Sequence, residues 1–157
     1  MMNKSQNIQY REATPSDIDA LLVLEQKVVE AERPFNQQIS ESGVTYYDLS
    51  ALIANESAML LVGEYQTEII ATGYIDIRQS KASLKHDKHG YLGFMYVEPE
   101  FRGQCVNKAI MDNLIHWAKE RNIRDFYLDV YAENSAAIKA YEKAGFQSSL
   151  IEMQLTI

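Results

Sequence analysis

Only one of the 157 residues is a cysteine, so no intrachain disulfide can staple this chain. Three histidines, at 86, 89 and 116, lack the Cys/His spacing of a metal cluster, and no metal is expected. Long apolar runs are missing too: the longest, such as residues 58–63, fall far short of the ~20 needed to cross a bilayer. Residues 1–9 are too polar for a signal peptide, which predicts a cytoplasmic protein with no membrane partner. Positive charge is in deficit. Fifteen Lys and Arg against 22 Asp and Glu leave a net charge of −7, so a nucleic-acid backbone is repelled on balance and no nucleic-acid partner is expected. With no internal repeat, linker or block of like charge, residues 1–157 read as a single domain.

What is present is a globular composition, 46% hydrophobic and 24% charged, able to bury a core without covalent staples. Ile8 to Ala13 reads as a strand. Thr14-Pro15-Ser16-Asp17 is a helix start, with a capping threonine, proline at the first position and an acid favoured by the helix dipole. Ile18, Leu21, Leu22, Glu25, Val28 and Val29 form one stripe, predicted to be core, and Pro34 ends that helix. Tyr46, Leu49, Leu52 and Ile53 suggest a second, short helix ending near Asn55.

Ala58 to Tyr65 and Glu68 to Arg78 are β-rich runs flanking Gln66-Thr67, an antiparallel hairpin without the usual turn residues. After a polar loop, Gly90 to Val97 is almost wholly apolar or aromatic, as a central strand covered on both faces would be. From Val106, the residues Ile110, Met111, Leu114, Trp117 and Ala118 repeat at helical spacing, with cations at the C-terminal end. Phe126 to Tyr131 reads as a strand, Asn134 to Ala144 as a helix closed by Gly145, and Ile151, Met153, Leu155 and Ile157 alternate as a last strand. This order predicts an α/β (α+β) fold: a mixed sheet with helices on both faces and one parallel crossover through the helix after Val97.

Between that strand and the best helix lies Val97-Glu98-Pro99-Glu100-Phe101-Arg102-Gly103-Gln104-Cys105-Val106-Asn107-Lys108. A strand, a sharp turn and a helix N-terminus present unpaired amides and the positive end of a dipole, a seat for phosphate or pyrophosphate. Helix capping alone is the other reading of the same residues.

Three stretches resemble the GNAT superfamily of N-acetyltransferases: Ile70-Ala71-Thr72-Gly73-Tyr74-Ile75, the segment from Val97 to Gln104, and Asn134 to Phe146. The resemblance covers nearly the whole chain. It implies a mostly antiparallel sheet splayed between the central strand and Phe126 to Tyr131, with acetyl-CoA entering the gap. Backbone amides of Gly103, Gln104, Cys105, Val106, Asn107 and Lys108 then hold the pyrophosphate, after Arg102 opens the motif. Cys105 and Asn107 stand where the family has small residues. Backbone groups of Met95 and Val97, with Asn134, meet the pantetheine arm.

Tyr141 stands at the family's tyrosine position, where a phenol with a normal pKa of ~10 can protonate the departing thiolate; on helical spacing alone it is a core aromatic. For the base, Tyr91 and His89 lie early in the central strand, and Glu30 and Glu32 end the first helix, ahead of the loop that lines the acceptor pocket in the family. The implied activity is transfer of acetyl from acetyl-CoA to a primary amine, on a small molecule or a peptide. The alternatives are a non-catalytic CoA-binding module and a thiol sensor built on Cys105. The final alternating strand offers a homodimer contact.

Overall fold

The computed structural model describes residues 4–157. Strands β1 (Gln9–Glu12), β2 (Ala58–Tyr65), β3 (Glu68–Gln79), β4 (Lys88–Val97) and β5 (Phe126–Tyr127) form one sheet in the order β1-β2-β3-β4-β5. The first three pairings are antiparallel and β4–β5 is parallel, so the fold is the mixed α/β arrangement that the element order predicts, mostly antiparallel as the resemblance implies. The helices are α1 (Ile18–Glu32), α2 (Leu49–Ala54), α3 (Val106–Lys119) and α4 (Ser135–Lys143).

Two cores lie on the two faces of the sheet. Leu21, Leu24 and Val28 of α1 and Leu49 of α2 pack on Leu60, Val62, Tyr74, Phe94 and Tyr96. Ile110, Met111, Leu114 and Ala118 of α3 pack on Leu61, Ile75, Leu92 and Val97 of the opposite face. Alternate residues of β2 serve opposite faces, as period two demands. None of the helices is long and apolar enough to cross a membrane, among the described residues.

Helix entry follows the local chemistry. Thr14 accepts the role of N-cap in a capping box with Asp17, on a short 3₁₀ turn over Pro15–Asp17 that feeds α1. Arg11 clasps Asp17 in two hydrogen bonds of 2.8 and 2.9 Å, which ties β1 to that entry and holds the Asp17 carboxyl below its ordinary range. Within α1 the buried stripe runs through Leu24, whereas Leu22 is 41% exposed, a correction to the expected stripe. Glu25, although a carboxylate, is 1% exposed as the stripe implied: its Oε2 accepts the amides of Tyr46 and Tyr47 at 3.2 and 3.0 Å. That pair of bonds pins the segment between α1 and α2 against the helix.

Two expected strands are shorter or missing. Phe126 to Tyr131 was expected to pair throughout, but only Phe126 and Tyr127 meet β4, opposite Gly90 and Tyr91. Residues 147–157 form no strand, and Leu150, Ile151, Met153, Leu155 and Ile157 stand in solvent.

Candidate active site

Parallel pairing with β5 stops at Tyr91, so from Leu92 to Val97 the flank of β4 turned away from β3 has no strand beside it among the described residues. This is the splay predicted above. Inside the open stretch β4 carries a bulge: Thr72 faces Tyr96 but Tyr74 faces Gly93, so β4 spends one more residue than β3. The bulge sits at Phe94, whose φ of +52° is in the left-handed region that non-glycine residues seldom adopt. Gly93 lies under the Tyr74 ring, and Phe94 faces the α1 core as well, so the alternation is reset and Met95 and Val97 turn to the α3 side. Gly73 makes room for this: a Cβ there would come within 2.5 Å of Met95 Sδ and 2.8 Å of Ile110 Cγ2. Neither composition nor motif reveals the bulge, since no residue type marks a Phe held at positive φ.

At the end of β4 the chain makes a 3₁₀ turn over Pro99–Phe101 and then reverses through two left-handed residues, Gly103 at φ +74° and Cys105 at φ +62°. Cys105 thus takes a conformation suited to glycine, and it immediately precedes α3. Arg102 braces the turn from within: its Nε donates to the Val97 carbonyl at 2.9 Å, and its guanidinium lies 5.6 Å from the Tyr96 ring centre. Gln104 donates to the Glu100 carbonyl at 3.1 Å, leaving its buried Oε1 without a partner among the described residues. Ala109 is the first residue whose amide bonds back, to Cys105. Among the described residues, the amides of Gly103 to Lys108 have no backbone acceptor. These six N–H groups lie in the turn that follows β4 and at the positive end of α3.

Across the gap stands α4. Asn134 caps it, its Oδ1 accepting the Ala137 amide at 3.3 Å, and Gly145 at φ +102° closes it. Tyr141 packs against the α3-side core and against Phe146, with ring centres 6.0 Å apart. Burial, and then the nearby Glu32 carboxylate, push its phenol above the ordinary value. Glu32, at the last turn of α1, is thus near enough for its charge to act on Tyr141. Burial in turn pushes the Glu32 carboxyl upward, and the Tyr46 hydroxyl partly offsets this. That hydroxyl lies near Glu32 without forming a hydrogen bond of normal geometry, and it is buried with no other partner among the described residues. Phe35 stacks on Tyr131 at 6.4 Å, Asn36 donates to the Tyr131 hydroxyl at 3.1 Å, and Tyr47 stacks on Phe94 at 4.5 Å. An aromatic wall holding one half-buried carboxylate thus connects the end of α1 to the bulge.

Tyr91 and His89 lie at the start of β4, as the sequence places them, but the Tyr91 hydroxyl and the His89 Nδ1 are engaged. The Tyr91 hydroxyl donates to Asp129 at 2.9 Å, and burial with that bond drives its phenol far above the usual range. Arg78 stacks on the same ring at 3.9 Å. His89 Nδ1 meets Ser80 Oγ at 2.9 Å; that hydroxyl also meets His86 Nδ1 at 2.7 Å, and His86 Nε2 reaches Tyr127 at 2.9 Å. Burial, then the facing His86 and Arg78, lower the His89 imidazole below its ordinary value. As pH falls, the unfolded chain takes up this proton first, so the stability carried by neutral His89 is present above about pH 6.5 and lost below it. Melting temperature is expected to decline from pH 7 to 5, less steeply in His89→Gln; an equal slope in both proteins would remove His89 as the cause.

The pattern of the Acetyltransferase (GNAT) family matches residues 25–146. The [ribosomal protein bS18]-alanine N-acetyltransferase of Escherichia coli (strain K12) is 34% identical over 55 residues, which are 35% of this chain and 37% of that protein's length. A crystal structure of a predicted acetyltransferase with acetyl-CoA from Clostridium acetobutylicum is 25% identical, covers 95% of this chain and 96% of that one, and superposes with a TM-score of 0.74. A variant of the BH1408 protein from Bacillus halodurans, at 24% identity, covers 95% and 99% of the two chains with a TM-score of 0.84.

Proposed function

The chain belongs to the acetyltransferase (GNAT) family, and on that premise we propose that it moves the acetyl group of acetyl-CoA to a primary amine by direct attack in a ternary complex. The observation that carries this reading is the set of six unpartnered amides from Gly103 to Lys108 at the mouth of the β4 splay. They suit the pyrophosphate of CoA, and the unpaired flank of β4 at Met95 and Val97, with Asn134 opposite, suits the pantetheine arm. Acetyl-CoA, when bound there, supplies an activated thioester carbonyl.

The chain's own groups then divide the work. Backbone N–H groups near the bulge at Phe94 suit the task of stabilising the carbonyl oxygen as it gains negative charge. Tyr141 stays protonated at neutral pH because its phenol is pushed up, so it holds the proton that the departing sulfur needs as the C–S bond breaks. The proton released by the attacking amine we assign to Glu32 rather than to Tyr91 or His89. Its carboxyl is pushed upward by burial, its charge acts on Tyr141, and it has no ion-pair partner among the described residues. A carboxylate amid aromatic rings also favours an acceptor that arrives as an ammonium ion.

Acetyl-CoA at 100 times its dissociation constant is expected to stabilise the fold by about 2.7 kcal/mol. Gly103→Val tests the seat. At φ +74°, with nothing within 4 Å of a Cβ, the substitution meets no clash in the protein, but a β-branched residue resists that conformation. The turn must open and the amides diverge. Affinity for acetyl-CoA is expected to fall by about tenfold or more, about 1.4 kcal/mol, with the fold retained; unchanged affinity by calorimetry would place the cofactor elsewhere.

A further inference from the structure

Helix α1 has a carboxylate in its buried stripe that acetyl transfer leaves without a task. Glu25 is 1% exposed, and a buried charge is costly unless donors surround it. Only one of its oxygens is satisfied: Oε2 accepts the Tyr46 and Tyr47 amides, while Oε1 is buried with no partner among the described residues. A leucine would fill the stripe without that cost. What a leucine could not do is hold two consecutive amides.

Those amides belong to a segment with little else to hold it. Residues 36–48 contain no helix or strand, and among the described residues 40–47 take part in no backbone–backbone hydrogen bond. Side chains of α1 and of the turn after it hold their main chain instead. Arg33 donates to the Ser40 and Glu41 carbonyls at 2.9 and 3.2 Å, Gln26 donates to the Val44 carbonyl at 2.9 Å, and Glu25 accepts from Tyr46 and Tyr47. Of these three side chains only that of Glu25 is buried, where water does not compete for its bonds. The two rings that leave the pinned peptide go to two parts of the site. The Tyr47 ring lies 4.5 Å from Phe94 and 19° from parallel, against the bulge of β4. The Tyr46 ring meets Tyr47 edge-on at 5.7 Å, and its buried hydroxyl has Glu32 as its polar neighbour.

We propose that Glu25 is a positioning residue for the acceptor side of the site: by holding the amides of Tyr46 and Tyr47 it places the Tyr46 hydroxyl beside the Glu32 carboxylate and the Tyr47 ring against the bulge at Phe94. The groups that act on Glu32 or on the Tyr46 hydroxyl are Tyr47 of the same segment, Tyr141 of α4, Tyr131 ahead of α4, and Arg33, which is paired with Glu30. The Tyr46 hydroxyl favours the charged form of Glu32, so moving it away makes Glu32 keep its proton to higher pH. The bearing on catalysis rests on Glu32 as the group that receives the amine's proton; the bearing on Glu32 itself does not.

The test is the titration of the Glu32 carboxyl in the free protein, followed by NMR of carboxyl-labelled glutamate without acetyl-CoA or amine, in the wild type, Tyr46→Phe, Glu25→Gln and the double variant. Glutamine keeps the shape of Glu25, but as a neutral acceptor it holds the two amides less strongly, and its NH2 falls where Oε1 had no partner. The Glu32 midpoint is expected to rise in each single variant and to rise no further in the double variant, because both substitutions act through one hydroxyl. If Glu25→Gln does not fold, Glu25→Asp, which keeps the charge and shortens the reach, takes its place in the same cycle. A midpoint unmoved by Tyr46→Phe, or unmoved by the substitution at Glu25 in a folded protein, overturns the proposal, and so does a double variant in which the two rises add. Turnover is read separately: kcat/KM on the acid side is expected to fall about three- to tenfold in each single variant, the usual worth of one hydrogen bond. A midpoint that rises while the acidic limb stays in place upholds the positioning by Glu25 and removes Glu32 as the base.

Discussion

Tyr141→Phe is expected to lower kcat by about 10²- to 10⁴-fold, the usual worth of a general acid, with little change in acetyl-CoA affinity. The ring's contacts with Phe146 and the core survive the substitution, and only the hydroxyl is removed. A CoA-type thiol, taken at about 8.5 on the cysteine scale, departs partly unassisted as the medium becomes basic, so the penalty should shrink between pH 6 and 9. A penalty independent of pH would make the hydroxyl a positioning group. No penalty at all would return Tyr141 to the core.

Glu32→Gln is expected to be as costly to kcat/KM, about 10²- to 10⁴-fold, and to remove the acidic limb of its pH profile. The substitution keeps the shape of the side chain beside Tyr46 and deletes the site that takes the proton. Because the Glu32 carboxyl is raised by burial, the wild-type limb should lie above the ordinary carboxylate range. Glu32→Asp, which keeps the charge but shortens the reach, should recover part of the rate. A rate that is lost while the limb persists would show that Glu32 orients the acceptor and that another group receives the proton.

The parts of this site differ in how visibly they are written in the sequence. Helix α3 was legible because Val106, Ile110, Met111, Leu114 and Ala118 repeat at helical spacing, and each of them is buried. The turn before it was legible as a strand-to-helix turn, and its glycine-like geometry appears even at Cys105, where the residue type does not announce it. Gln66 and Thr67 likewise both adopt positive φ in a tight hairpin turn without Asn or Gly, because the pairing of β2 with β3 outweighs the local preference. The bulge at Phe94 and the early end of β5 were not legible, since both are relations between strands rather than properties of one. Residues 147–157 show the same limit: alternation states which face would be apolar, and does not supply a ladder partner. Tyr91 and His89 were correctly placed at the start of β4, but their hydrogen bonds to Asp129 and Ser80 depend on loops that periodicity does not order.

Release of free thiol from acetyl-CoA, followed in the presence of a panel of amines that spans polyamines, aminoglycosides, amino acids and peptide N-termini, tests the account most directly. Thiol release that requires both the protein and an amine, is strongest with acceptors that are cationic at neutral pH, and collapses in Tyr141→Phe is the predicted result. Tight acetyl-CoA binding without turnover on any amine would make the chain a CoA-binding module, and neither binding nor thiol release would contradict the assignment of the Gly103 to Lys108 turn as a cofactor seat.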